Sequence, residues 1–177
     1  PDRFLEMVNE TDKVDSFEYD SISDWKLARP GRIIDCAIKF KKEPRDKHLS
    51  FMKELIFLLR DNDIAYVSNL QDIKNKYQAY QEEEESMIKI IEKNSFFLEN
   101  DINKECLFID ISEFSRPIAI SKSLAGIIYP TVKLATSITS VFDMGRKTTN
   151  LVLSSSLMIS QNIIPHNKDL GEIMRVL

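Results

Sequence analysis

The apolar positions of this chain fall into short blocks separated by polar breaks. Residues 32–40 carry Ile33, Ile34, Ala37, Ile38 and Phe40, an apolar, β-branched block opened by Pro30-Gly31 and closed by Pro44. That length and composition predict a short, largely buried strand. Asp46 then precedes Leu49, Phe51, Met52, Leu55, Ile56, Leu58 and Leu59, a stripe at helical spacing that predicts a helix over 46–60 packed on the sheet through Leu55 and Leu59. Asp61-Asn62-Asp63 ends it. Residues 64–67 read as a second strand. Residues 70–100, with Ile73, Tyr77, Tyr80, Met87, Ile90, Ile91 and Phe97 as apolar positions, read as one long helix. Residues 106–111 read as a third strand.

Strand, helix, strand, helix, strand at these lengths is the pattern of an α/β domain. It implies two or three layers around a parallel or mixed sheet. The last third is less regular. Ser115 and Pro117 mark a helix start, with the helix running to residue 128. Two readings stay open beyond Pro130. One is a C-terminal β-hairpin, 138–142 against 148–153, joined by a five-residue loop, Asp143 to Lys147. The other is a Ser-rich helix over 132–159 interrupted at Gly145. Residues 168–177 suggest a final short helix. Residues 1–30 read as an N-terminal helical arm, in which Phe4, Leu5 and Val8 share a face, and 31–177 as a single α/β domain.

Composition narrows the class. The chain has 177 residues, 43% of them hydrophobic and 29% charged, enough apolar surface to bury a core. No apolar run reaches the roughly 18–20 residues of a membrane span, and no signal-peptide pattern opens the chain. It begins at Pro1 rather than Met, which reads as an excised domain or a processed chain whose partner domain lies elsewhere. Two cysteines, Cys36 and Cys106, sit in apolar blocks, so the expectation is two buried, reduced thiols and a cytoplasmic setting.

Charge adds a pattern. Residues 1–30 hold 4 basic and 8 acidic side chains, 31–60 hold 8 and 4, 61–110 hold 5 and 12, and 111–177 hold 7 and 4. The acidic balance, -4 overall, disfavours a dedicated nucleic-acid binder. There are only 4 glycines, so the backbone-amide cradles that hold phosphate in P-loops and dinucleotide folds are not written here. Gly145-Arg146-Lys147-Thr148 resembles the end of a P-loop, but neither Ser140 nor Val141 upstream is a glycine.

The cationic candidates lie in two segments. The loop 39–48 holds Lys39, Lys41, Lys42, Arg45 and Lys47 and leads into a helix. The segment 112–116 ends in Ser115 and Arg116 after the third strand. In open α/β sheets, ligands sit beyond the carboxyl ends of strands, where helix N-termini also favour anions. Lys42, Arg45, Ser115 and Arg116 are therefore the expected ligand-binding residues, on one edge if the strands are parallel. The acids Asp35, Asp63, Asp110 and Glu113 are scattered through the elements, and the only histidines are His48 and His166. No metal set, cofactor or catalytic triad is implied. The Tyr77 and Tyr80 pair and the Glu82–Glu85 run mark the long helix as one that meets a partner or simply shows solvent a charged face. Two readings follow. The first is a non-catalytic binding or interaction domain whose partner is another protein or another domain. The second is a domain for a nucleotide or other phosphate-bearing ligand, either a sensor or a phosphoester-processing enzyme.

Overall fold

A computed structural model describes residues 2–16, 19 and 21–158. The first half is helical. It comprises α1 (Asp2–Asp15), α2 (Ile22–Trp25), α3 (Pro30–Lys39), α4 (Arg45–Asp61), α5 (Ile64–Ser68) and α6 (Gln71–Asn94). Then come β1 (Ser95–Phe97), β2 (Cys106–Asp110), α7 (Ser123–Ile128), β3 (Leu134–Asp143) and β4 (Arg146–Leu157). The sheet order is β1-β2-β3-β4. Its central pair, β2 and β3, is parallel and both outer pairs are antiparallel. This is an α/β domain with a mixed sheet and a C-terminal hairpin.

Two expected strands are helices. Residues 32–40 lie almost wholly in α3, and 64–67 in α5. The reason is visible in the phase. Ile33, Ile34 and Ala37 recur at a helical interval and are all buried, and Pro30 sits at the first helical position, where its missing N–H costs nothing. In α5, Ile64, Val67 and Ser68 are buried, an i, i+3, i+4 set. β-Branched residues weaken a helix by only tenths of a kcal/mol each, which tertiary burial overrides.

The helix expected over 46–60 is α4. Its buried residues, Phe51 and Leu55, pack into an all-helical core with Ile33, Ile34, Ile64, Val67 and Ile73 rather than on the sheet, and Leu59 packs partly buried on that same core. The long helix stops at Asn94 rather than near residue 100, and Phe97 belongs to β1. Only Ser123–Ile128 of the helix expected over 117–128 is helical. The hairpin reading of the last third holds, but strand pairing extends to Asp143↔Arg146, so the loop is the two residues Met144 and Gly145 instead of five. Both have positive φ, 45° and 78°, the geometry that matches the twist of paired strands. The helix expected over 168–177 lies outside the described residues.

A second core forms on the sheet. Leu107, Ile109 and Ala135 meet Ile91 of α6, Leu124 and Ala125 of α7, and Trp25 of α2. The helix α6 therefore serves both cores, through Ile73, Tyr77 and Tyr80 at its start and Ile91 near its end. The first helix, α1, closes on α3. Gly31 approaches it so tightly that a Cβ there would stand 2.9 Å from the Glu10 backbone oxygen, and the Gly31 N–H donates to the Glu10 carboxylate at 2.9 Å.

Candidate functional site

The helical phase of α6 sorts its acidic run. Successive residues turn by about 100°, so the four glutamates leave the helix in different directions. Glu82 and Glu85 are exposed, Glu84 is buried, and Glu83 is half-buried. Glu84 and Glu83 then build two adjoining concavities between α6 and α3.

The first is a small polar cavity of about 50 Å³ lined by Trp25, Arg32, Asp35, Lys39, Tyr80, Glu84, Ser121 and Ser123, among others. Arg32, only 3% exposed, donates to Glu84 at 2.7 Å and stacks over Trp25 with its guanidinium carbon 3.7 Å from the ring centroid. Burial raises the Glu84 pKa above the ordinary carboxylate value, against the opposing pull of Arg32. Asp35 and Lys39 form a second pair at 2.6 Å. Two cations thus meet two carboxylates. With its charges balanced and room for no more than a few waters, this cavity is a pinned polar junction between helices rather than a seat for an anion.

The second concavity is an open cleft of about 440 Å³ lined by Lys39, Lys41, Lys42, Tyr80, Glu83 and Met87. Its composition is three lysines, one carboxylate and an aromatic wall. The loop that carries Lys41 and Lys42 is tied down on α6 from two sides. Lys42 Nζ lies 3.0 Å from Glu83 Oε1, and Glu43 pairs with the buried Lys76, which also sits 4.6 Å from the Phe51 ring centroid. The cleft walls are consequently held before any ligand arrives, which reduces the ordering cost of binding. A third groove, about 410 Å³ on the outer side of α4, has Lys53 against Glu54 and Asp61, so its charge does not favour an anion.

Of the four residues expected to bind ligand, Lys42 lines the basic cleft. Arg45 opens α4, where it is exposed. Ser115 and Arg116 are exposed in the loop that follows β2. These three are not among the cleft's lining residues. The segment before Lys42 is a helix, so Lys42 and Arg45 do not leave a strand end, and the two cationic segments do not share a strand-end edge. Sequence reading marked Tyr80 and the Glu82–Glu85 run as a partner-facing or solvated face of the long helix, and did not place Tyr80 and Glu83 in a cleft or pair Arg32 with Glu84. The signal for Arg32 and Glu84 was weak, because charged residues 52 positions apart give no sign of meeting. The scattered acids do not converge. Among the described residues no group of three or more His, Cys, Asp or Glu is placed to hold a metal ion. Asp110 instead accepts from the Ser112 N–H at 2.9 Å. His166 lies outside the described residues.

No protein-family model matches this chain, and no curated protein matches it. Among solved structures it is similar to a pGpG-specific phosphodiesterase, PggH from Vibrio cholerae, with a TM-score of 0.74 and 17% sequence identity. The likeness covers 99% of this chain and 57% of that one. At that identity it is a likeness of fold, and this chain spans a little over half the length of the structure it matches.

Proposed function

We propose that this chain binds a nucleotide or a similar phosphate-bearing ligand in the cleft of Lys39, Lys41 and Lys42. One observation carries the reading: this cleft, about 440 Å³ and pre-held by two ion pairs to α6, is lined by three lysines and a single carboxylate, and with Lys42 paired to Glu83 and Lys39 to Asp35 beside the cleft, Lys41 leaves it net positive. The cavity beside it is charge-balanced and the groove on α4 leans acidic. Charge-assisted hydrogen bonds from lysine to phosphate contribute roughly 1.5–3 kcal/mol each, and the glycine-poor sequence leaves that grip to side chains. The fold likeness to a protein that acts on pGpG supports the ligand class. Arg45, Ser115 and Arg116 are proposed as outer contacts for a ligand that extends beyond the cleft.

Calorimetric titration of the full chain with pGpG tests this. The expected result is binding that weakens at least tenfold in Lys41→Ala/Lys42→Ala and falls as salt rises. Parallel Arg45→Ala and Arg116→Ala variants decide whether the outer contacts take part. No binding of pGpG, or binding that the double substitution leaves unchanged, overturns the reading. Incubation with pGpG followed by chromatography tells a binding domain from a phosphoester-processing one.

A further inference from the structure

We propose that β4 is an interaction edge and that its partner is β4 of a second copy of this chain, paired antiparallel about Val152. The sheet order puts β4 at the end of the sheet. It pairs with β3, and no described strand lies along its other side. Such an edge offers unpaired N–H and C=O groups to any extended chain. The sheet is also narrowest here. β2 pairs with β3 up to Ile138, and among the described residues β3 and β4 continue beyond it as a two-stranded ribbon with Met144 at its tip. A two-stranded ribbon is marginally stable in water and gains from a third strand.

Free edges are normally protected by a lysine, another charge or a proline. β4 has none of these over residues 148–157, and its two charges, Arg146 and Lys147, lie at the hairpin end. An irregularity puts residues 148–150 opposite Val141, after which pairing with β3 is regular from Leu151 to Leu157. Leu151, Val152 and Leu153 are 54%, 46% and 54% exposed. Lys122, at the start of α7, pins the strand by donating to the Ser154 carbonyl and hydroxyl at 2.9 and 2.6 Å, so an incoming strand meets a fixed edge.

The order of residues names the partner. Outward from Val152 the edge is alike in both directions: leucine at 151 and 153, then neutral polar residues at 148–150 and at 154–156. A two-fold antiparallel pairing sets Val152 against Val152, Leu151 against Leu153 of the second copy, and Asn150 against its Ser154. Lys147 falls opposite Leu157, so no charge faces a like charge. Centring on Ser154 instead would set Val152 against Ser156 and Leu153 against Ser155. An unrelated extended chain would require no such symmetry. One strand-to-strand contact is small for a specific interface, so a Kd of about 1–100 µM is expected.

The test is sedimentation velocity of the full chain across that concentration range, beside Val152→Lys. The wild type should shift from monomer to dimer. Two ammonium groups directly opposite each other should weaken the dimer at least tenfold, while the circular dichroism spectrum and melting curve match the wild type. Val152→Cys reads the register without adding charge. Its two thiols would stand directly opposite, within reach of a disulfide, so mild oxidation should give a covalent dimer that Thr148→Cys and the unsubstituted chain do not give. A wild type that stays monomeric throughout overturns the proposal, whether the edge is bare or is covered by residues after Met158. A dimer that Val152→Lys leaves intact, or a Val152→Cys that crosslinks no better than Thr148→Cys, also overturns it. If Val152→Lys fails to fold, the crosslinking decides.

Discussion

The two cores of this molecule are built on different terms. The first is closed on all sides by helices. It buries Ile33, Ile34, Cys36, Ala37, Leu55, Val67 and Ile73 at 8% exposure or less, and its border with the second core holds the Arg32–Glu84 pair. The second has helices against one face of the sheet, where Leu107, Ile109 and Ala135 are wholly buried. On the opposite face Phe96 stacks on Phe108 at 5.4 Å between centroids yet stays 41% exposed, and Leu153, paired with Ile138, is 54% exposed. A closed helical core tolerates polar groups only where they are fully paired, whereas a one-sided sheet leaves its outward alternation to solvent. The difference teaches where charge can be stored. The candidate site sits against the closed core because helix–helix packing fixes Lys39, Tyr80 and Glu83 in one place.

The largest effect that would break this comparison is at the junction. Glu84→Ala leaves Arg32 buried and unpaired, and removing one member of a buried pair typically costs about 3–5 kcal/mol. Urea melts of the variant should show that loss. A cost below about 1 kcal/mol would mean that solvent reaches Arg32 and that the junction is not closed.

The second effect sharpens the picture of the first core along a single helix. Leu55 is 2% exposed and its neighbour Ile56 is 62% exposed. Leu55→Ala should cost about 2–5 kcal/mol and Ile56→Ala within about 0.5 kcal/mol. Equal losses in denaturant melts would contradict the phase assigned to α4.

The smallest effect is a pH dependence. Burial pushes the Cys36 thiol up from 9.0 to about 12. The unfolded chain therefore releases this proton at lower pH than the folded one, so the group's contribution is intact below about pH 9 and is lost as pH rises toward 12. The slope is at most about 1.4 kcal/mol per pH unit. Stability measured between pH 8 and pH 10 should fall less steeply in Cys36→Ala than in the wild type. Cys106 is only half-buried, which departs from the expectation of two buried thiols, although neither cysteine is in a disulfide. A thiol reagent should consequently label Cys106 well before Cys36 at neutral pH.

Element type was legible where the pattern had one interpretation. The stripe from Leu49 to Leu59 could only be an amphipathic helix. Cys106–Asp110 became β2, and the Thr- and Ser-rich segments around Met144-Gly145 became the hairpin. It failed at Ile33-Ile34 and Ile64–Val67, where four or five apolar residues satisfy a buried strand and a buried helix equally well. Length did not arbitrate, and β-branching pointed the wrong way.

What the sequence by itself determined is the supply: an α/β composition, a lysine-rich loop after residue 38, and too few glycines for a backbone phosphate cradle. Only the tertiary structure decided how that supply is used. It rotated Glu84 inward to Arg32 and Glu83 toward Lys42, and it put Tyr80 between the two concavities. The cause is physical. Local propensity and period act over a few residues and fix which face of an element is apolar. The pairing of charges 41 and 52 positions apart is fixed by which helices pack together, a free energy summed over the whole core.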